Sequence, residues 1–396
     1  MRYFLLLWLL AALPGRAQTL ISGRLVDERG QPVPYASVAL ADGRRGTASN
    51  EVGEFSLRVP TLPQQLIILS IGYERTVADV LQSGPLPADI VLKASAVSLP
   101  EVTVRAHAEA EALVARCYAK LLRHAQDVQY GRAFYRQKTR QNGRYREFFD
   151  AFYDVKLTPR AMPSWVLGEA RYALTRGGTN FRNFSALTRS FPVFLGGEGA
   201  PEGKVRLPLS PDGLQRFTFV LRQTLRENGR TLAVIDFAPR PGVAPATRGN
   251  LYIDTETAAL FRVSQDLPAD QMMAAPSTGV VQTERATAHV TANFLPQNDS
   301  LTRLASTQAT ATITLTVQGG FTEETVVSSN FFFYEYGPPT PGETYPDLGL
   351  KAVDLAPIRK RRYRPRFWQD NAVIKASPLE EQIITDFEGQ KVFGKF

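Results

Sequence analysis

Short apolar runs alternate with turn residues between positions 21 and 92. Ile21–Val26 and Val38–Leu40 each end in a turn, and a further turn at 50–53 precedes the alternating segment Phe55–Val59. Several short strands at this spacing predict a small β-sandwich. Leu66–Ile71 is a continuous apolar run, which predicts a strand buried on both sides.

The apolar period changes after this region. Leu113, Cys117, Leu121 and Ala125 recur at every fourth residue, and this spacing predicts an amphipathic helix from residue 108 to about residue 126. Cys117 lies on the apolar face of the helix, and the sequence around it offers no activating base. We therefore expect Cys117 to be a small buried side chain rather than a reactive thiol.

Asn-Gly pairs mark hairpins in the rest of the chain. Asn142-Gly143 and Asn228-Gly229 each separate two β-rich runs, which is the strongest short-range hairpin signal. Later strands are predicted at 286–294, 304–317 and 326–336. Hairpins in succession predict a large antiparallel sheet, and we expect the helix to pack against the concave face of a curved sheet or half-barrel.

Two segments depart from the hairpin pattern. Residues 159–213 are rich in proline and glycine and predict a long loop or insertion. Their glycines form no phosphate cradle, because no Gly-Lys-Ser/Thr sequence follows them. Near the end of the chain, Ser377-Pro378 precedes a helical pattern at 379–387 with two glutamates in its first turn, which predicts a short final helix.

The first seventeen residues have the composition of a secretory leader. Residues 1–17 contain an early arginine, an apolar run and small residues at their end. This pattern predicts a signal peptide cleaved between Ala17 and Gln18, and hence an exported protein that is periplasmic or associated with the outer membrane. No second stretch of about eighteen apolar residues follows, so no transmembrane helix is expected after signal removal.

Charge and cysteine content narrow the choice of partners. The chain has one cysteine, so its stability must come from packed cores rather than from an internal disulfide. Its formal net charge is +8. The densest basic cluster predicts either a solvated edge or a surface for an anionic lipid headgroup, lipopolysaccharide or an acidic partner. Nucleic acid is not an expected partner of an exported protein. The candidate partner surface consists of Arg359, Lys360, Arg361, Arg362, Arg364 and Arg366.

The sequence predicts no catalytic, cofactor-binding or metal-binding residue. The histidines His107, His124 and His289 belong to no zinc motif. A hydrolase acting on glycans would need two carboxylates about 5 to 9.5 Å apart in one cleft, although turn and strand-end roles also explain each available carboxylate. The carboxylates to test for such a pair are Glu147, Asp236, Asp254 and Glu256.

A set of small, turn-forming and apolar residues in the predicted sandwich forms a recognisable pattern: Gly23, Val26, Asp27, Gly30, Pro32, Val33, Ala36, Val38, Gly46, Thr47, Gly53, Phe55, Gly72 and Tyr73. In these residues the chain resembles the carboxypeptidase-like regulatory domain, a transthyretin-like β-sandwich common in cell-envelope proteins of Gram-negative bacteria. The resemblance implies a fold and an envelope location, but no activity.

Two likenesses extend beyond the sandwich. The segment 249–257 resembles the G-x-I-Y-I-D-x-x-T hairpin of envelope lipoprotein-carrier folds, which leaves open either a tunnel for an acyl chain or an ordinary side-chain-filled core. The chain also resembles the long members of the regulatory-domain family in four segments: Phe134-Tyr135-Arg136, Asn142–Tyr145, Leu251–Asp254 and Arg366-Phe367-Trp368. Those relatives have no assigned reaction, so the likeness implies architecture and location only.

The predicted architecture combines these patterns. The fold is mainly β, with one or two helices. A transthyretin-like β-sandwich at 18–93 is followed by a linker at 94–105. Residues 106–396 then form a helix and a large curved antiparallel sheet or half-barrel with a basic C-terminal tail.

Three functions agree with this architecture. The first is an exported, non-catalytic cell-envelope protein that binds a protein or glycan partner. The second is an envelope hydrolase with a site on the large sheet. The third is a periplasmic carrier of a lipid or other hydrophobic ligand, which would require an apolar cavity large enough to hold that ligand.

Overall fold

The computed structural model describes most of the chain after the predicted signal peptide, which lies outside the described residues. Within the described residues, no helix combines the length and the apolar character needed to cross a membrane. The ranges described are 19–43, 45–98, 104–175, 193–196, 205–227, 229–268, 281–296, 302–317, 320–348, 355–358, 360–371 and 373–395.

The N-terminal domain is a sandwich of two small sheets, as predicted. One sheet has the order β4–β1–β7, with β8 also paired to β1, and the other has the order β3–β2–β5–β6. Phe55, Leu57 and Val59 alternate into the core between the sheets. The strands are β1 (Thr19–Asp27), β2 (Ser37–Leu40), β3 (Gly46–Ala48), β4 (Glu54–Val59), β5 (Gln64–Leu69), β6 (Thr76–Val80), β7 (Gly84–Pro85) and β8 (Ile90–Leu92).

Tight turns join these strands at the predicted positions. Gly30 has φ of 76°, a left-handed conformation that glycine adopts without strain. Gly53 has φ of 79°, and a Cβ at this position would lie 2.3 Å from the carbonyl oxygen of Leu25. Any side chain at residue 53 would therefore force β1 and the following turn apart.

The remaining strands form one antiparallel sheet. Its order is β12–β11–β10–β19–β18–β17–β16–β15–β14–β13–β9, so two meanders meet where β10 pairs with β19. The strands are β9 (Ala96–Ser98), β10 (Gln129–Gln141), β11 (Arg144–Leu157), β12 (Ser164–Leu174), β13 (Phe217–Glu227), β14 (Arg230–Pro239), β15 (Arg248–Asp254), β16 (Leu260–Leu267), β17 (Val281–Pro296), β18 (Thr302–Val317) and β19 (Phe321–Gly337).

Five described helices accompany this sheet. The predicted amphipathic helix is the longest, and Leu113, Val114 and Cys117 on its apolar face pack against Phe219 and Ile235 of the sheet. Cys117 is fully buried, and burial raises the pKa of its thiol to about 12, as expected for an unreactive side chain. The helices are α1 (Val104–Arg123), α2 (Gly213–Arg216), α3 (Leu355–Ile358), α4 (Pro365–Asp370) and α5 (Pro378–Gly389).

Two predicted boundaries differ from the structure. The predicted linker at 94–105 contains β9, which pairs with β13, and the start of α1. The predicted loop at 159–213 contains β12, which pairs with β11 over most of its length. Neither strand shows a regular alternation of apolar and polar residues. β9 has only three residues, and Gly168-Glu169 interrupts the pattern in β12. The rest of that predicted loop lies largely outside the described residues.

Candidate functional site

The sandwich lies against one face of the large sheet, and α1 packs against the other. Leu251 and Val263 point toward α1, whereas their neighbours Tyr252 and Arg262 point to the opposite face, because side chains alternate along a strand. On this second face the sheet meets β5 and the segment 70–75 of the sandwich. The junction of the two domains is therefore built from residues far apart in sequence.

A cavity of about 340 Å³ lies at this junction. Its volume is within the range of small-molecule sites. The sandwich contributes Tyr35, Ser37, Ile67, Leu69, Ser70, Ile71, Tyr73 and Arg75, and the sheet contributes Glu227, Arg230, Leu232, Phe261, Arg262, Asn293, Phe294, Leu295, Ala305, Ser306 and Phe332.

The apolar run 66–71 explains one wall of this junction cavity. Leu66 and Ile68 are buried in the sandwich core, as predicted. Ile67 and Leu69 point the other way and are only partly buried, because they line the cavity. The prediction that this strand is buried on both sides was wrong for the second side, which faces an open space rather than packed side chains.

A row of side chains on four neighbouring strands fixes an arginine in the cavity wall. Arg262 Nε donates to Asn293 Oδ1 at 2.7 Å, and Asn293 Nδ2 donates to Ser306 Oγ at 3.1 Å. On its other side, the Arg262 guanidinium lies 5.3 Å from the ring centroid of Tyr252, a favourable cation–π distance. The orientation of Arg262 is therefore set before any ligand binds.

The charges around the cavity are close to balanced. Arg230 lies 3.6 Å from Asp254. Glu227 is buried and accepts a hydrogen bond from the Gly72 backbone N–H at 2.6 Å; burial raises the pKa of Glu227, and this hydrogen bond works against the rise. Burial also lowers the pKa of Arg262, because it removes water from the guanidinium, and the neighbouring Tyr252 and Glu227 offset this loss only in part.

A buried ionic cluster lies beside the cavity, on the same face of the sheet. Asp150 of β11 is fully buried and accepts two hydrogen bonds from Arg136, at 2.8 and 3.1 Å. Arg171 donates two more, at 2.9 and 2.6 Å. Burial opposes the charged form of Asp150, but these two guanidinium groups hold its pKa below the usual value. The carboxylate therefore stays ionised inside the protein.

The same cluster joins three parts of the chain. Glu380 of α5 accepts from Arg136 at 2.8 Å and from Lys138 at 3.3 Å. Lys138 in turn pairs with Glu51 of the sandwich at 2.5 Å. Since Arg136 and Lys138 belong to β10, the buried ionic cluster ties the sandwich and the C-terminal helix to the third strand from one edge of the large sheet.

The segment before α5 strengthens this connection. Asn50 of the sandwich donates to the Ala376 carbonyl at 3.2 Å, and Lys375 pairs with Glu54 at 3.0 Å. Ser377 caps α5 in a reciprocal capping box with Glu380. The predicted final helix is thus present, and its N-terminal turn holds the sandwich in place.

Glu147 lies on the opposite face of β11, without an ion-pair partner among the described residues. Its side chain is fully buried and accepts hydrogen bonds from Gln137 at 3.0 Å, Thr139 at 2.7 Å and Tyr172 at 2.9 Å. Burial raises the pKa of Glu147 to about 7, although these three donors reduce the rise. This carboxyl therefore changes its charge near neutral pH.

Of the other carboxylates considered for hydrolysis, Asp236 and Asp254 have structural contacts, and Glu256 is exposed. Asp236 pairs with Arg222 at 2.8 Å. Asp254 accepts from the backbone N–H groups of Glu256 and Thr257, at 3.0 and 2.8 Å, and so shapes the β15–β16 turn. Glu147 is on β11 and Asp236 on β14, with six strands between them in the sheet. Glu147 and Asp236 therefore do not form the paired arrangement that a glycosidase needs.

The predicted basic surface is only partly available to a partner. Arg361 donates to the Leu167 carbonyl, and Arg364 pairs with Glu169 at 2.8 Å. Lys360, Arg362 and Arg366 are exposed, and Arg359 lies outside the described residues. Next to them, Trp368 is buried with its ring 4.8 Å from the Arg171 guanidinium.

A lipid carrier that holds its ligand between α1 and the sheet needs a large apolar cavity there. The cavity described there has about 50 Å³ and is lined by Leu121, Leu157, Met162 and Phe294 among others. That volume is well below the lower limit of about 300 Å³ for small-molecule sites. The described residues therefore offer the junction, rather than the helix side, as the place for a ligand.

Comparison with known proteins identifies the N-terminal domain. Residues 21–104 match the family described as CarboxypepD_reg-like domain, which confirms the resemblance seen in the sequence. No curated protein matches the sequence.

Several solved structures are similar to parts of the chain. An outer membrane lipoprotein-sorting protein domain from Vibrio parahaemolyticus is 13% identical, with a TM-score of 0.21, and covers 60% of this chain and 95% of its own. A LolA superfamily protein from Nitrosomonas europaea is 7% identical, with a TM-score of 0.17 and coverages of 57% and 93%. MucB, solved in complex with MucA, is 10% identical, with a TM-score of 0.17 and coverages of 58% and 94%. Likenesses at this level carry no argument about function.

Proposed function

We propose that this chain is an exported, non-catalytic protein of the cell envelope that binds a partner protein at the junction of its two domains. The observation that carries the proposal is the 340 Å³ junction cavity. Its walls are mostly apolar, with a few fixed charged and polar groups, which is the composition of a binding site. The predicted signal peptide supports an envelope location, as does the regulatory-like domain.

A protein partner fits the cavity better than a glycan. Leu69, Ile71, Phe261 and Phe332 give the walls large apolar surfaces, which suit an apolar side chain, whereas a sugar would need a dense set of hydrogen-bonding groups. A binding role also agrees with the carboxylates, since Asp236 and Asp254 are engaged in contacts that stabilise the fold.

We expect a variant that fills the cavity to lose its partner. Ile71→Trp places a larger side chain in the wall, and Val77→Trp is the matched control, because Val77 is 44% exposed on β6 of the same sandwich. The tagged protein, with its tag behind the predicted cleavage site, is crosslinked in cells, purified and analysed by mass spectrometry for proteins and glycans. A protein captured by the parent and the control, but not by Ile71→Trp, is the expected result.

Other outcomes of this experiment would contradict the proposal. Equal capture by all three proteins would place the partner elsewhere on the surface. Capture of a glycan in place of a protein would show that the partner is a glycan and not a protein. Turnover of a captured molecule by the purified protein would restore the hydrolase hypothesis. Thermal melting of each variant controls for misfolding.

We also propose that Lys360, Arg362 and Arg366 make a second contact with an anionic membrane surface. Each exposed basic residue near such a surface contributes about 1 kcal/mol. We expect the mature protein to sediment with vesicles containing phosphatidylglycerol and not with pure phosphatidylcholine vesicles. Replacing the three residues by glutamine should weaken that binding more than tenfold, whereas unchanged sedimentation would show a solvated edge without a partner.

A further inference from the structure

We propose that the junction cavity receives one aromatic side chain of the partner protein, stacked on the Arg262 guanidinium. This inference rests on the proposed function, because it names the class of residue by which a partner protein occupies the cavity. The competing occupant is an aliphatic side chain of the same size, and the experiment below separates the two.

A β-bulge in β16 places two neighbouring side chains in the same wall of the cavity. In the pairing of β15 with β16, Tyr252 lies opposite Arg262. The next pair joins Ile253 to Leu260, so Phe261 is an extra residue in β16. In a regular strand Phe261 and Arg262 would point to opposite faces, but both line the cavity. Bulges often re-aim side chains in this way beside functional sites.

A second bulge lies two strands further along the sheet, in β18. Asn293 pairs with Ser306. The next pair joins Phe294 to Leu304, so Ala305 is an extra residue. Ala305 and Ser306 both line the cavity. Because these side chains are small and a bulged strand bends, the sheet leaves room for a ligand where it meets the sandwich.

The Arg262 guanidinium lies between the Tyr252 ring and the cavity. Its Cζ is 5.3 Å from the ring centroid, and Tyr252, unlike Arg262, is not part of the cavity wall. Asn293 accepts a hydrogen bond from Nε at 2.7 Å and so fixes the plane of the group. A ring that enters the cavity would place the guanidinium between two aromatic faces, an arrangement that suits its planar, delocalised charge.

The electrostatics of Arg262 favour an aromatic occupant over the alternatives. Burial lowers the pKa of Arg262, and Tyr252 and Glu227 offset this effect only in part. An aliphatic side chain would displace the remaining water and supply no compensating interaction. An added anion would lie close to Glu227, which belongs to the same wall. An aromatic ring stabilises the cation through its negative face and adds no charge.

The other walls supply the apolar surface that an aromatic ring needs. Leu69 and Ile71 of the sandwich line the cavity together with Phe261 and Phe332 of the sheet. Ile71 and Phe261 pack against the same buried cluster of the sheet, so the two domains meet there. At about 340 Å³ the space is near the small end of ligand sites. It therefore suits one or two side chains rather than a folded surface.

The binding experiment compares two peptides that differ only in the aromatic character of one ring. The mature protein is titrated, with ligand-observed NMR, with acetyl-Gly-Phe-Gly amide and with the same peptide carrying cyclohexylalanine in place of phenylalanine. Cyclohexylalanine has the larger apolar surface, so burial alone would make its peptide the tighter ligand. We expect the phenylalanine peptide to bind about fivefold more tightly, because it gains a partly desolvated cation–π contact. Equal binding of the two peptides, tighter binding of the cyclohexylalanine peptide, or no binding of either would overturn the inference.

Two variants of Arg262 test its role. Arg262→Met keeps the length of the side chain and removes the charge, so the cyclohexylalanine peptide should become the tighter ligand. Arg262→Lys keeps a charge beside Glu227 but loses the planar group, so the preference for phenylalanine should shrink. Arg222→Met is the matched control and should keep the preference of the parent, because Arg222 is exposed and pairs with Asp236 outside the cavity. If thermal melting shows that Arg262→Met does not fold, Arg262→Lys decides the result, and an unchanged preference in that variant counts against the inference.

Failure of this inference can be told apart from failure of the proposed function. A partner protein that is captured in cells and lost in Ile71→Trp, while the two peptides bind equally, would retain the junction as the binding site and reject the aromatic side chain. A preference for the phenylalanine peptide with no captured protein would retain the aromatic site and reject the partner protein.

Discussion

Replacing Asp150 by asparagine is expected to lower the free energy of unfolding by about 3–5 kcal/mol. The change keeps the shape of the side chain but removes its charge, and so leaves Arg171 and part of the Arg136 guanidinium buried without the counter-ion they bind now. Both arginines are at least nine-tenths buried, so water cannot replace the lost carboxylate. Urea unfolding followed by circular dichroism measures the effect.

The control for this prediction lies on the same strand. Asp154 points to the same face of β11 as Asp150, but its side chain is 26% exposed and pairs with Arg132, which is 45% exposed. We expect Asp154→Asn to cost about 0–1 kcal/mol, as is usual for exposed pairs. Equal effects of the two substitutions would mean that the buried ionic cluster contributes no more than a surface ion pair.

The second large effect is a loss of stability with rising pH that depends on Glu147. The pKa of Glu147 is about 7 in the folded protein, against 4.5 ordinarily. The folded state therefore holds a proton that the unfolded chain has released, and stability falls as the pH rises through this interval. This difference in pKa corresponds to a loss of about 3 kcal/mol in the free energy of unfolding between pH 4.5 and pH 8.

Substituting Glu147 by glutamine tests this pH dependence. Glutamine keeps an acceptor for Thr139 or Tyr172 and cannot ionise, so the variant should gain stability relative to the parent as the pH is raised from 5 to 8. That range stays above the pH at which Asp150 and Glu380 take up protons, since their pKa values are lowered. Glu324→Gln, at an exposed position of β19, should leave the pH profile of the parent unchanged. Parallel profiles for the parent and Glu147→Gln would show that Glu147 is ionised throughout.

Local patterns predicted most of the fold. Asn142-Gly143 forms the β10–β11 turn, and both residues have positive φ, at 46° and 78°. The four-residue spacing of Leu113, Cys117 and Leu121 predicted the helix and its buried face. These features depend on neighbours in sequence, so a single chain is enough to find them. The predictions for 94–105 and 159–213 missed strands β9 and β12. These strands are defined by pairing with β13 and β11, and their own sequences lack a regular alternation of apolar and polar residues.

The candidate site could not be found in the same way. The cavity residues lie on separate strands of two domains, and only the sheet order brings Leu69 near Arg262. The sequence did contain a signal for the buried ionic cluster beside the cavity: Phe148-Phe149-Asp150-Ala151-Phe152 places a carboxylate inside an aromatic strand. A buried charge requires a partner, so this run indicated an internal ion pair, although not the identity of the partners.

The contact between Asn50 and Ala376 joins positions 326 residues apart, and this distance sets an order of assembly. A chain made from its N terminus can complete the sandwich early, since its core uses residues 21 to 92 alone. The large sheet needs β19 before β10 can pair on both sides, and Glu380 arrives later still. Such non-local contacts form slowly. The contacts of residues 373–380 with the sandwich and with β10 are therefore the last to form, and a chain interrupted before residue 373 would lack the Asn50, Glu54 and Glu380 contacts that hold the two domains together.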